Sequence, residues 1–427
     1  MENSAYPPIA PRTWQHQGVA DGAVRRAFDW IEASAIPVEG GLGWLENGTL
    51  YDHLYSGAAG VLLGCAEATA AGVPGLEPIA TGARDRLVHL AGLDDRPAHL
   101  AGDDATAVVD GLFEGWPGAA VALRAWAAVA GDDRAAETAA SLTGWVAERM
   151  RRRPDDPGRW TDIISGDAGI LLALVPDAAE PVVADAVARL ADGLVGLGLD
   201  RPDGLHWRMS PSYEAINPGF SHGTAGVAYA LATAGVTLGR TDLVAVAVRA
   251  ADGLIALGTT PAGWALPLRM PTKPGLPPVN FGWCHGPTGT VRLFVLLDAI
   301  VPDQRWQRAV AACVRALRDS RLPERLYPGY WDNVARCCGT AGVGQVLLDR
   351  YRATGDRSYL EWAGRLADDV LARRLTTPQG VTWSNVEHTA DPPDLPPAAG
   401  FMQGTAGIAG WLARLASPAT PAVLDWL

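Results

Sequence analysis

A Gly-x-x-Gly tetrad recurs seven times along the chain, and this repeat limits the possible folds more than any other feature. The copies are Gly57-Ala58-Ala59-Gly60, Gly115-Trp116-Pro117-Gly118, Gly166-Asp167-Ala168-Gly169, Gly223-Thr224-Ala225-Gly226, Gly286-Pro287-Thr288-Gly289, Gly339-Thr340-Ala341-Gly342 and Gly404-Thr405-Ala406-Gly407. Their spacing, roughly 50 to 65 residues, is that of one helical hairpin with its loops. In a chain with 49 glycines a single tetrad would be uninformative, but each of these opens an apolar run, such as Ile170 to Leu174 or Val227 to Leu231. Between the runs lie amphipathic segments. In the one from Arg305 to Ser320, Trp306, Val310, Cys313, Val314 and Leu317 recur at three- and four-residue steps on one face.

Seven apolar helices alternating with seven amphipathic ones predict an all-α fold, an (α/α) toroid of seven inner and seven outer helices whose neighbouring hairpins bury each other's apolar faces. Glycine at the inner-helix starts has two candidate reasons: it tolerates unusual backbone dihedrals, and it lets loops approach closely. No repeat interval is long enough to hold a second domain, so residues 23–427 read as one toroid domain and 1–22 as a polar N-terminal arm. Long Pro- and Trp-bearing stretches precede the last four inner helices, at Asp200 to Phe220, Thr259 to Gly282, Leu322 to Arg336 and Thr376 to Ala399. They are expected on the face where the inner helices begin, where loops on a rigid scaffold usually form a binding funnel.

The chain has 427 residues, 19% of them charged, with a formal net charge of -12. That balance excludes a nucleic-acid-binding surface, which needs clustered Lys and Arg, and leaves room for attraction of a basic peptide. The N-terminus lacks the charged start and apolar run of a signal peptide, and no apolar stretch is long enough to span a membrane. A cytoplasmic protein is expected.

Five cysteines in such a chain do not make a disulfide scaffold. Trp283-Cys284-His285-Gly286 stands at the mouth of the fifth inner helix, and Arg336-Cys337-Cys338-Gly339 takes the equivalent place in the sixth. Three thiolates from two adjacent turns can occupy three corners of a zinc tetrahedron, leaving the fourth for water or substrate as in catalytic zinc sites. Alternatives at these positions are a vicinal Cys337–Cys338 disulfide, buried small side chains, or His285 as a fourth ligand that closes the site. Cys65 and Cys313 lie on apolar helical stripes and read as core.

These motifs resemble the lanthionine synthetase C family over nearly the whole chain. The family's Trp-Cys-x-Gly motif matches Trp283 to Gly286. Its Cys-His-Gly motif corresponds to Cys337, Cys338 and Gly339, its His-Gly-x-x-Gly motif to His222 through Gly226, and its Asp-x-x-x-Gly motif to Asp162 through Gly166. The resemblance implies a double ring of seven plus seven helices around a central Zn2+. It also implies addition of peptide cysteine thiols to dehydroalanine or dehydrobutyrine, giving (methyl)lanthionine thioether rings, and hence a dehydrated precursor peptide with a leader as substrate and a separate dehydratase as partner. This chain departs from the pattern twice. Cys338 stands where the family usually has a histidine ligand, as in a relaxed-specificity subset of cyclases, and Asn280 stands where many members carry an arginine, with Arg269 and Lys273 as candidate replacements for its charge.

On this reading the metal favours the substrate thiolate, and His222 is the candidate acid that protonates the α-carbon after addition. Asp162 either orients His222 or helps remove the thiol proton. His16, His53, His89, His99, His206 and His388 have no motif context and read as structural or surface residues. The rival functions are addition of glutathione or another small thiol to dehydroamino acids in proteins, a prenyltransferase-like toroid, and a non-catalytic peptide-binding toroid.

Overall fold

A computed structural model describes residues 20–94, 100, 110–154, 158–260, 263–276, 278–324, 333–386 and 394–427. His16, His99 and His388, most of the N-terminal arm, and parts of the second, third and fourth long stretches lie outside them. Fourteen α-helices occur among the described residues: α1 (Ala20–Ala33), α2 (Ala58–Ala70), α3 (Glu77–Ala91), α4 (Trp116–Ala130), α5 (Asp133–Arg152), α6 (Asp167–Leu174), α7 (Pro181–Gly196), α8 (Thr224–Leu238), α9 (Thr241–Gly258), α10 (Pro287–Ile300), α11 (Gln304–Asp319), α12 (Thr340–Thr354), α13 (Arg357–Ala372) and α14 (Thr405–Ala416). Each even-numbered helix starts at the residue after the first glycine of a tetrad.

The two expected helix classes separate by burial. Every residue of α6 is buried, as are the first eleven of α2 and all but the last residue of α14. The odd-numbered helices bury one stripe; on α11 it includes Trp306, Val310, Cys313, Val314 and Leu317, the face read from the spacing. Burial of such apolar side chains, at about 1.5–3 kcal/mol each, is what holds these amphipathic helices in place.

The chain divides into two compact units. The first comprises Met1–Ala105, Val121–Ala139 and Arg321–Leu427; the second comprises Thr106–Ala120 and Ala140–Ser320. Within the second unit α6, α8 and α10 pack on α7, α9 and α11, and α8 lies against both α6 and α10. Within the first unit α12 packs on α13 and α2 on α3, while α14 lies against α12, α2 and α1. The seventh amphipathic helix is therefore α1, ahead of the first tetrad, and it covers the last inner helix, burying Val24, Ala27, Phe28 and Ile31.

The tetrads work through space rather than through dihedral freedom. The first glycines are extended, with φ of -101° at Gly57 and -164° at Gly223, values open to any residue. The preceding loop doubles back over the helix start, so its carbonyls accept from the first-turn N–H groups: Thr224 N donates to Asn217 O (3.0 Å), Thr340 N to Asn333 O (3.2 Å) and Thr405 N to Ala398 O (2.8 Å). Donors that side chains usually cap are thus satisfied by backbone. A Cβ on Gly223 would sit 1.6 Å from Asn217 O, and one on Gly226 2.0 Å from Phe220 O. Of the two reasons offered for glycine, close approach is the one the structure uses.

The long stretches carry short antiparallel hairpins, pairing 199–201 with 204–206, 259–260 with 263–264 and 375–377 with 380–382. A tryptophan follows two of them and also lies in the β-meander before α2. Trp44, Trp207 and Trp383 each donate an indole N–H to a carbonyl thirteen residues back on an amphipathic helix, at Ile31, Leu194 and Val370 respectively. In the second unit the loops before α8 and α10 are laced together by reciprocal backbone bonds between Ile216 and Met270 (2.9 and 2.7 Å). No described helix is long and apolar enough to cross a membrane.

Candidate metal and acid–base site

The residues just before each tetrad are held by the same fold-back that caps the helix. Two places before the first glycine stand Tyr55, Ser221, Cys284, Cys337 and Met402; one place before stand His222, His285 and Cys338. Backbone bonds tie these positions together within each unit. In the second, Phe113 N donates to Ile164 O (3.0 Å), Ile163 N to Ser221 O (3.0 Å), and Phe220 N and Ser221 N to Cys284 O (2.9 and 2.8 Å). In the first, Cys337 N donates to Met402 O (3.0 Å) and Met402 N to Tyr55 O (3.0 Å). Side chains that must converge thus leave from backbone already fixed on both sides.

Among the described residues one group of His, Cys, Asp or Glu side chains can hold a metal ion: Cys284, Cys337 and Cys338, whose sulfurs all lie within 4.8 Å of one another. Cys284 and Cys337 are buried and Cys338 is half-buried. No disulfide joins any of the cysteines, and the Cys337 and Cys338 sulfurs stand 3.5 Å apart. Sulfurs bound to one tetrahedral zinc at about 2.3 Å are about 3.8 Å apart. Spacing and donor type therefore fit a zinc-class ion.

His222 and Asp162 meet although sixty residues separate them. His222 Nδ1 lies 2.5 Å from Asp162 Oδ2, with the carboxylate fully buried and the imidazole 30% exposed. Asp162 Oδ1 accepts from Ser165 N (3.0 Å), so one carboxylate is both a turn cap and an imidazole partner. The rings of His222 and His285 have centroids 5.8 Å apart.

Two groups beside Cys337 were missed in the sequence. Tyr55 hydrogen-bonds to Cys337 and Gln403; burial first, then negative charge on Cys337 and Cys338, pushes its phenol well above the usual range, so its O–H is a donor to sulfur. Its signal was its column, since it occupies in the first repeat the place of Cys284 and Cys337. Arg336 is buried, with Nη2 2.7 Å from Glu67 Oε1, Nη1 bonded to Gln345 (2.9 Å), and its guanidinium over the Phe401 ring. An arginine in a column otherwise held by Leu54, Leu112, Ile163, Phe220, Trp283 and Phe401 was its signal.

Asn280 does a local job. Its Oδ1 accepts from Gly282 N (2.7 Å), as Oδ1 of Asn333, the equivalent residue one repeat later, accepts from Ala335 N (2.8 Å). It is an Asx-turn residue of the fold-back. Of the two cations offered in place of an arginine there, Arg269 lies over the Tyr213 ring at 5.4 Å and Lys273 is exposed.

Cys65 and Cys313 are fully buried, and burial pushes both thiols up, as for inert core residues. His53 Nδ1 accepts from Ser56 N (3.1 Å), the bond that Asp162 makes in the third repeat. His89 lies 3.8 Å from Glu39, and His206 is buried with Nδ1 2.9 Å from Thr224 Oγ1.

Paired helices opening at glycine tetrads, with three cysteines and a carboxylate–imidazole pair just ahead of those tetrads, define a helical toroid whose clustered cysteines could bind a metal ion. The chain belongs to the lanthionine synthetase C-like family: the model of "Lanthionine synthetase C-like protein" matches residues 49–427. Among solved structures it is similar to nisin cyclase at a TM-score of 0.59 and 16% identity, covering 92% of each chain, and this likeness shows the helical-toroid fold. It is also similar to D-mannose isomerase (TM-score 0.50, 12% identity, 91% and 95% covered). A third likeness is to the unsaturated glucuronyl hydrolase of Streptococcus agalactiae (TM-score 0.50, 8% identity, 98% of each chain). A search of curated proteins finds no match.

Proposed function

We propose that this chain is a zinc-dependent lanthipeptide cyclase that adds peptide cysteine thiols to dehydroalanine and dehydrobutyrine, forming (methyl)lanthionine rings. The observation that carries the reading is the convergence of the Cys284, Cys337 and Cys338 sulfurs within 4.8 Å, in a member of the lanthionine synthetase C-like family.

Cys284, Cys337 and Cys338 would hold the zinc. When bound, the metal lowers the pKa of a substrate thiol and so supplies a thiolate at neutral pH. An all-thiolate ligand set carries more negative charge than one with a histidine, which leaves more electron density on that sulfur. The Tyr55 hydroxyl donates to Cys337 and tempers that charge.

His222 moves the proton. Addition forms the C–S bond at the β-carbon and leaves an enolate whose α-carbon takes one proton, so the thiol proton lost is balanced by one delivered. The buried Asp162 carboxylate holds Nδ1 of His222 and so orients the ring that delivers the proton. Asp162 acts through His222.

The substrate is a dehydrated precursor peptide with its leader, and the double bonds require a dehydratase acting upstream. The test incubates the zinc-loaded protein with such a peptide and counts free thiols by alkylation and mass spectrometry. Loss of alkylatable thiols at unchanged peptide mass supports cyclisation. A gain of one glutathione mass per double bond in a parallel reaction, with no ring formed, supports small-thiol addition instead.

A further inference from the structure

We propose that Asn333 and Gln403 are positioning residues that aim the Tyr55 hydroxyl at the Cys337 sulfur, so that Tyr55 sets how strongly this one cysteine donates to a bound metal. The inference rests on the zinc-site reading above and adds to it a polarised chain of hydrogen bonds that ends on a ligand.

The chain starts from backbone. Asn333 Oδ1 accepts from Ala335 N (2.8 Å), which makes Nδ2 the other end of that amide, and Nδ2 donates to Gln403 Oε1 (2.9 Å). Gln403 in turn hydrogen-bonds to Tyr55, and this bond favours negative charge on the phenol oxygen, so it is the amide N–H that is donated. The Tyr55 oxygen is therefore the acceptor towards Gln403, and its single hydrogen is left for its other partner, Cys337. Each link takes its direction from the one before it, back to the Ala335 N–H.

The backbone around the chain is clamped. Cys337 N donates to Met402 O and Met402 N to Tyr55 O, both at 3.0 Å. Buried Asn385 accepts from Val334 N (3.2 Å) and donates to Gln403 O. The loops before α2, α12 and α14 are thus tied to one another at the places from which Tyr55, Cys337 and Gln403 leave, and the side-chain links join positions already fixed.

The chemical consequence follows from charge. Three thiolates carry one negative charge more than a divalent cation cancels. A hydrogen bond withdraws density from the sulfur that accepts it, and donors placed behind a ligand tune the metal in this way. Tyr55 thereby restores part of the balance that a neutral imidazole would give at the place of Cys338.

The test loads the full-length protein with cobalt(II) and reads the sulfur-to-cobalt charge-transfer band. Tyr55→Phe keeps the ring and removes the O–H. It should bind cobalt with unchanged stoichiometry and move the band to longer wavelength, because a sulfur relieved of a hydrogen bond gives up electron density more readily. Gln403→Leu should move the band the same way by less, and no further when added to Tyr55→Phe, since Gln403 acts through the tyrosine. A merely structural role for Tyr55 would change occupancy or stability and leave the band of the bound cobalt in place. An unmoved band in Tyr55→Phe, or an equal effect of Gln403→Leu in both backgrounds, would overturn the proposal while leaving the zinc site standing. If Tyr55→Phe does not fold by circular dichroism, Gln403→Leu decides alone, and an unmoved band there overturns it. A wild type that shows no cobalt–thiolate band would overturn the zinc-site reading and this proposal together.

Discussion

His222 Nδ1 stands 2.5 Å from Asp162 Oδ2, and the carboxylate that holds it is fully buried while the imidazole stays partly open to solvent. A buried carboxylate held against one ring nitrogen fixes the orientation of the imidazole.

Replacing His222 by Asn is expected to lower cyclisation by about 10²- to 10⁴-fold, the usual size of a general acid–base contribution, with zinc content unchanged. Asp162→Asn should lose less, because the imidazole keeps its place but loses the carboxylate that orients it. Single-turnover rates by mass spectrometry check both, and an undiminished rate in Asp162→Asn would remove that residue from the proton step.

Replacing Cys284 by Ala should abolish stoichiometric zinc binding and ring formation together, since two thiolates are left where three converge. Metal content by emission spectrometry after dialysis reads the first effect, and full occupancy in the variant would sink the ligand assignment. Cys65→Ala and Cys313→Ala should keep the metal and show only a packing cost.

Gly226→Ala should destabilise the protein by about 1–3 kcal/mol, the range for overpacking, because its Cβ would lie 2.0 Å from Phe220 O. The strain acts on the loop that carries His222, so kcat should fall even where the fold survives. Denaturant melts and cyclisation rates measure the two effects. Gly239→Ala, whose Cβ would meet nothing within 4 Å but whose φ is +66°, should cost stability and spare the rate.

His206 predicts a pH dependence of stability. Burial lowers its pKa below the usual 6.5, against an opposing pull from Asp203. The unfolded chain therefore binds a proton that the folded chain refuses, so this group's contribution is fully present above about pH 6.5 and is lost as pH falls below that value. The wild type should lose more stability than His206→Gln between pH 7.5 and pH 5.5. Parallel slopes for the two proteins in chemical melts would contradict this.

Much of this architecture was legible because it is periodic. The tetrads located all seven inner helices, which begin at the second residue of each tetrad and so three residues before the apolar runs, since the fold-back they permit is built from backbone within six residues of the first glycine. The three cysteines were legible for the same reason, as occupants of equivalent places before two successive tetrads. The hairpins in the long stretches were not, because their pairing involves only two or three residues a strand, too few for an alternating pattern to stand out.

The sequence by itself determined the helix count, the places of the inner-helix starts and the columns in which Cys284, Cys337, Cys338, His222 and Asp162 stand, because each follows from short-range backbone sterics repeated along the chain. Only the tertiary structure decided which columns speak to each other. It joined Asp162 to His222, set Arg336 on Glu67 from 269 residues away, covered α14 with α1, and turned Asn280 into a turn residue rather than a gap in the charge pattern. Such pairings depend on how distant repeats bury one another's side chains, a long-range property that no local period records.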